Sequence, residues 1–281
     1  MNKRVVVRGG GDIATGTIWC LASCGFDVLV SEIRKPTAIR RTVSFCEAMY
    51  DGSAKVEGIV ARRINDISEA EAVWRNGQIP VISDPLLEEA LKISPQIFVD
   101  AAIAKRNLGT RKDMAPLVIG LGPGFCAGDD VDIVIETNRG HDLGRIISRG
   151  TAQPNTAVPG IIMGYGRERV IHSENAGVFI SKAEIGDIVH AGDVIAHVAD
   201  VPVPATIDGV LRGLLRDGLT VPEHFKIADI DPRIGERKNC FTISDKARTI
   251  AGSVLTAICI YENKVLQAAA GVRQPADAQD H

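Results

Sequence analysis

The chain has 281 residues, a hydrophobic fraction of 45% and a formal net charge of −3, enough apolar material for one large packed domain or two moderate ones. Its Lys and Arg residues are scattered and no run approaches the ~20 apolar residues of a membrane span, which argues against nucleic-acid and membrane partners. Met1-Asn2-Lys3-Arg4 passes into valines without an apolar leader, and Cys20, Cys24, Cys46, Cys126, Cys240 and Cys259 form no CxxC pair or His cluster, so the expectation is a soluble, cytoplasmic protein with free thiols and no metal centre.

Residues 3–8 read as a first strand. Ala14, Ile18, Leu21 and Ala22 then recur at helical spacing, Gly25 closes that helix, and residues 26–31 read as a second strand. Between the first strand and the helix stands VVVRGGGDIATG. Gly9-Gly10-Gly11-Asp12-Ile13-Ala14 matches GxGxxA, in which Gly9 serves the tight turn, Gly11 a close phosphate and Ala14 tight helix packing. The helix start beyond it, with Asp12, Ala14 and Thr15, offers free N–H groups to an anion, and Glu32 stands at the end of strand two, where a carboxylate meets a ribose. The string fits a nucleotide or other phosphate ligand; the alternative is a tight turn with an empty mouth. Asp12 places negative charge in the turn, and Arg34, Lys35, Arg40 and Arg41 crowd the chain after Glu32, which sets the site apart from an ordinary NAD site. Those basic residues, Arg40 and Arg41 above all, either grip an anionic ligand or form a solvated face. Cys46 in RRTVSFCEAMYDG is a thiolate candidate if those arginines are close, and otherwise a core residue.

Further along, Ser68-Glu69-Ala70-Glu71 reads as a capping box opening a short helix, Ile79–Ser83 as a buried strand, and residues 86–93 as another helix. Residues 96–100, 117–120 and 131–136 complete an alternating pattern that predicts a Rossmann-like parallel α/β sheet over residues 1–150. In such sheets ligands bind beyond the carboxyl ends of the strands, which nominates Asp100, Lys105, Asn107, the loop Gly122-Pro123-Gly124-Phe125, and Arg139. His141 is the best general acid/base candidate there; the other reading has it tying down its loop.

From about Thr151 the texture changes. TAQPNTAVPGIIMGYGRERV leads into short strands with tight turns over residues 170–226. EIGDIVHAGDVIAHV followed by VPATIDGVLRGLL resembles the half-motifs of a barrel-sandwich hybrid, the small β domain of biotinyl and lipoyl carriers. Its link, Ala199-Asp200-Val201-Pro202-Val203, lacks the lysine a swinging arm needs. In KIADIDPR, Asp229 and Asp231, beside Lys226 and Arg233, read as turn formers or as ligands of a hard metal. Ser244 caps a helix with Ala247, Ile250, Ala251, Val254, Leu255 and Ile258 on one face. The expected division is therefore 1–150 (nucleotide binding), 151–235 (β-rich), 236–267 (a helix packing back on the core) and 268–281 (a frayed tail).

Taken together, RGGGDIATG, RRTVSFCEAMYDG, VDAAIAKRNLGT, APLVIGLGPGFCAGDDVDIVIETNRGHDLGR, GVLRGLL, DIDPR and SDKARTIAGSVL resemble the YqeB family, accessory proteins of the selenium-dependent molybdenum hydroxylase system. That family is related more loosely to the accessory proteins of xanthine dehydrogenase. The resemblance implies maturation of a molybdenum hydroxylase, by handling a molybdopterin dinucleotide or by delivering sulfur or selenium, with the hydroxylase or other maturation proteins as partners and a homo-oligomer as an open state. It supplies no catalytic residues. Two other readings stay open: an NAD(P)-dependent oxidoreductase that reads the ribose with Glu32 or Arg34 and uses His141, and a non-catalytic scaffold docking a partner enzyme through residues 170–226.

Overall fold

Val5, Val6 and Val7 have no exposed surface, and this β-branched run, buried on both faces, is the middle of a large sheet. The computed structural model describes residues 3–155 and 160–270. Its first half contains β1 (Arg4–Arg8), α1 (Asp12–Ser23), β2 (Asp27–Glu32), α2 (Ala48–Asp51), β3 (Ser53–Val56), β4 (Ile59–Ile64), α3 (Ala70–Arg75), β5 (Ile79–Ser83), β6 (Ile97–Asp100), β7 (Leu117–Leu121), β8 (Cys126–Ala127), β9 (Ile133–Ile135), β10 (Ile146–Ile147) and β11 (Gly150–Thr151). Nine of these strands form one mixed sheet in the order β10-β9-β7-β6-β1-β2-β5-β4-β3. Its interior pairings are parallel, and the edge pairs β3–β4 and β9–β10 are antiparallel. From β1 the chain runs to β2 on one side and later returns to β6 on the other. The winding direction therefore changes beside the C-terminal end of β1, where a crevice opens in sheets of this kind.

Side chains alternate across the sheet. Val5 and Val7 face a layer containing α1, while Val6, Leu29, Phe98 and Val118 pack on the opposite side. Two local expectations are corrected. The capping box lies two residues earlier than its sequence suggests: the Asp66 side chain accepts the Ser68 amide, and Glu69 reaches back to the Asp66 amide at 2.9 Å. The helix expected over residues 86–93 is reduced to a 3-10 turn, Ala90–Ile93. Buried Asp84 accepts the amides of Glu88, Glu89 and Ala90 at 3.0, 2.9 and 2.7 Å, while Leu87 sits at φ 65°, so a side chain satisfies donors that a preceding helical turn would otherwise have taken.

The second half contains β12 (Val170–His172), β13 (Gly177–Ser181), β14 (Ile188–Val189), β15 (Val194–Val198), β16 (Val201–Pro204), β17 (Gly209–Leu214), β18 (Thr220–Val221) and β19 (Lys226–Asp231). They form two four-stranded sheets, β12-β19-β17-β14 and β16-β15-β13-β18, around buried Phe179, Ile195, Leu211, Leu214 and Ile230. The β15–β16 hairpin turns on Ala199 and Asp200, at φ 48° and 66°, the paired left-handed conformation of a type I′ turn.

The chain then returns to the first half through α4 (Asp245–Ala269). Ser244 caps this helix, accepting the Ala247 amide at 3.2 Å. Its apolar face packs on α1, where Gly16 is required: a Cβ there would stand 2.7 Å from the Ala247 carbonyl oxygen. The helix runs on through Ala269; of the tail expected to fray, residues 271–281 lie outside the described residues. Among the described residues no helix is long and apolar enough to cross a membrane.

Candidate functional site

The three glycines between β1 and α1 are not equivalent. Gly9 has φ +92°, and a Cβ on it would stand 3.0 Å from the Ala102 Cα; a Cβ on Gly10 would stand 3.0 Å from the Cys46 nitrogen. Both are demanded by neighbouring backbone. The Gly10 carbonyl accepts the Cys46 amide at 2.9 Å and the Thr15 hydroxyl at 3.2 Å, and the buried Thr15 hydroxyl in turn accepts the Phe45 amide at 3.0 Å. Gly11 differs: its φ is −67°, open to any residue, and a Cβ would meet nothing within 4 Å. It holds the N-cap of α1 without a side-chain cap, and with Asp12, Ile13 and Ala14 of the first turn it lines a cavity.

Glu32 stands beside this turn. Its Oε2 accepts the Gly10 amide at 2.8 Å and its Oε1 the Ile33 amide at 2.7 Å, leaving a lone pair on each oxygen for a pair of hydroxyls. Burial pushes its pKa up, against the lowering effect of those two amides. Asp12 lies 3.6 Å from the buried Arg40 guanidinium, which offsets the charge that would repel a phosphate. Together they border a cavity of about 410 Å³ whose apolar wall includes Ile13, Ile33, Pro36, Ala38, Ile103 and Leu108. Through Ile103 it adjoins a compartment of about 270 Å³ bordered by Lys105, Pro123, Arg139 and Lys246. Arg139 and Gly160 are shared with a third space of about 460 Å³, lined by Arg169, Arg212, Arg233 and Asp245. Residues shared between successive linings set the three spaces side by side, in a trough that begins at the C-terminal ends of β1, β2 and β6.

Gly9, Gly11, Asp12, Ala14, Glu32 and Cys46 border the first cavity, and Lys105, Pro123 and Arg139 border the second. Several of the other nominated residues are engaged in packing or backbone contacts. Arg40, expected to grip ligand, is buried and donates to the carbonyls of Asn239 and Thr242 at 2.9 and 3.2 Å; Arg41 donates to Leu214 O at 2.8 Å. Arg41 thus clasps the β-rich half, and Arg40 the segment that joins it to α4. Asp100 is buried, accepting the Thr110 hydroxyl at 2.6 Å and the Ala102 amide at 3.1 Å. Asn107 spends its side chain on Gly109 and Thr110. Gly122 and Gly124 are packed against Thr137 and Arg106, and Phe125 covers Gly120. For Cys46, burial, then the neighbouring Glu32, pushes the thiol well above the ordinary range, against the thiolate reading. His141 is exposed and borders none of these spaces. Asp229 and Asp231, weighed as metal ligands, pair with arginines, and among the described residues no three His, Cys, Asp or Glu side chains are grouped as a metal site requires. Sequence reading missed Arg169 and Arg212; the available signal was an arginine inside the apolar run GVLRGLL.

Over 267 residues, 95% of its length, the chain is 48% identical to the uncharacterized protein YqeB of Escherichia coli strain K12. The chain belongs to the YqeB family. It spans about half, 49%, of that curated relative's length. No family model matches. Among solved structures, an aspartoacylase family protein from Mesorhizobium loti aligns over 82% of this chain and 85% of its own, at 12% identity and a TM-score of 0.28. The product-bound ectoine utilization protein EutE from Ruegeria pomeroyi gives 13% identity and a TM-score of 0.26 over 82% and 85% of the two chains. Likenesses this distant carry no argument for a shared fold or chemistry.

Proposed function

We propose that this chain is an accessory factor in maturation of a molybdenum hydroxylase, and that it binds a nucleotide-bearing cofactor at the glycine turn. In this reading a phosphate meets the α1 amides at Gly11, Glu32 accepts the ribose hydroxyls, and the apolar wall holds a heterocycle. The first half is read as Rossmann-like and the second as barrel-sandwich-hybrid-like. Gly11 carries the binding part of the proposal. Neither backbone conformation nor packing requires glycine there, and Ser or Asp would cap α1 better; what glycine supplies instead is open access to the helix amides. The molybdenum part rests on the sequence resemblance.

Glu32 equally suits an NAD(P)-dependent oxidoreductase, but the expected acid/base, His141, borders none of the trough. Thermal-shift and native mass-spectrometric titration of the full chain with NAD(H), NADP(H), CTP and molybdopterin dinucleotide tests the proposal. Stabilisation by the molybdopterin dinucleotide is expected. Stabilisation by NADPH alone overturns the maturation reading, and stabilisation by none favours a scaffold.

A further inference from the structure

The third space of the trough, where the two halves meet, has an unbalanced charge. Arg139, Arg169, Arg212 and Arg233 line it, and Arg40 is close enough to Arg212 for their charges to interact. The matching carboxylates are fewer. Asp245 chelates Arg139 at 2.8 and 2.9 Å, and Asp231 holds Arg233 at 2.7 and 2.9 Å. Asp229 is divided between two arginines: it accepts from Arg169 at 2.9 Å and lies 3.7 Å from Arg212. Asp12 stands beside Arg40 and Glu236 near Arg233, so the imbalance is that of the lining itself, four guanidinium groups against the carboxylate of Asp245 among the described residues, with Lys246 bordering the adjoining compartment.

Arg212 is the residue left over. Its side chain is 15% exposed, and among the described residues it donates no hydrogen bond; Asp229 lies 3.7 Å away, and Asp231 and Asp245 act on it at longer range. The Nε groups of both Arg212 and Arg169, the latter 6% exposed, are buried without an acceptor. Burying guanidinium groups with so few acceptors costs free energy that a bound anion would recover. Burial, followed by the charge of Arg212, lowers the Arg40 pKa, against the raising effect of Asp12 and Asp229. The N-terminus of the 25-residue helix α4 opens on the same space and adds its dipole.

We propose that this cavity binds a phosphoryl group, with Arg212 its principal partner and Arg139 and Arg233 closing on it. Guanidinium groups suit the purpose because their planar forks match pairs of phosphate oxygens. At about 460 Å³ the cavity is in the size range of small-ligand sites, so the phosphoryl group arrives as a phosphate monoester with its organic part lying along the trough. This assignment does not depend on the glycine turn.

The test is calorimetric titration of the full chain with inorganic phosphate and with adenosine 5′-monophosphate, at ionic strength matched with sodium chloride. Both are expected to bind, the nucleotide more tightly. Arg212→Gln, which leaves Asp229 paired with Arg169, should weaken both by about tenfold or more, the loss of one charge-assisted contact. Arg139→Gln, at a more exposed pair, should weaken them several-fold, and the loss caused by Arg212→Gln should be the same in a Gly11→Val background, where the glycine turn is closed. Absence of binding to the wild-type chain, or equal phosphate affinity in wild type and both arginine variants, overturns the proposal. So does phosphate binding lost in Gly11→Val and kept in Arg212→Gln, which would place the anion at the glycine turn.

Discussion

Replacing Gly11 by valine separates the fold of the glycine turn from its use. The backbone there is extended, at φ −67° and ψ −179°, a conformation valine adopts readily, and the added Cβ meets no atom within 4 Å. The expected folding cost is therefore small, about 0.5–1 kcal/mol, because valine is a poorer N-cap than glycine. The same side chain fills the approach to the α1 amides. A ligand present at about 100 times its Kd stabilises a folded protein by about 2.7 kcal/mol. At about 2–4 °C per kcal/mol for a domain of this size, the wild-type melting temperature should rise by roughly 5–10 °C. For Gly11→Val the rise with whichever nucleotide stabilises the wild type should fall to near zero, while its ligand-free melting temperature drops by only a few degrees. Thermal-shift titration of the two proteins side by side makes the measurement. An undiminished ligand shift in the variant would refute the phosphate-facing assignment, and a variant that fails to fold would refute the open space at Gly11.

Two further outcomes follow from the packing and the electrostatics. Gly16→Val should lose about 1–3 kcal/mol in urea denaturation, because its Cβ meets the Ala247 backbone between α1 and α4; an unchanged midpoint would mean that the helices do not meet there. Glu32→Gln should change how stability varies with pH. Burial raises the folded-state pKa of Glu32, so its contribution is fully present below the unfolded-state pKa and is lost as pH rises through the folded value. Glutamine removes that decline, apart from a constant cost of about 1 kcal/mol for disturbing one of the two amide bonds. Denaturation series from about pH 4 to 7 should show a flatter profile for the variant, and parallel profiles would refute the assignment.

Local signals in the sequence identified the glycine turn and the helices beside it well. The valine run, the turn, the helical spacing after it and the Ser244 cap each depend on neighbours a few residues apart. The β3–β4 hairpin was not anticipated because it is an edge ribbon carrying Lys55, Arg62 and Arg63, half exposed and without a clear apolar alternation. The arginines defeated sequence reading for a different reason. Arg40 finds its carbonyl partners about two hundred residues away, and Arg169 meets Asp229, 60 residues on in sequence, on the strand beside it, so only the tertiary structure distinguishes a clasp from a ligand grip. In the same way Glu32 was placed correctly by spacing, but its engagement with the Gly10 amide required the folded turn.

The segment after β2 serves two neighbours within a few residues. Pro36, Thr37 and Ala38 wall the first cavity, and immediately afterwards Ile39 accepts the Leu214 amide at 2.8 Å while Arg40 and Arg41 hold backbone carbonyls of the second half. With α4 also returning to complete the first core, truncation near residue 150 would strip partners from this segment and from α1 at once. The cavity is lined by one half but shaped by the intact chain, so an amino-terminal fragment would present a different pocket to any ligand offered to it.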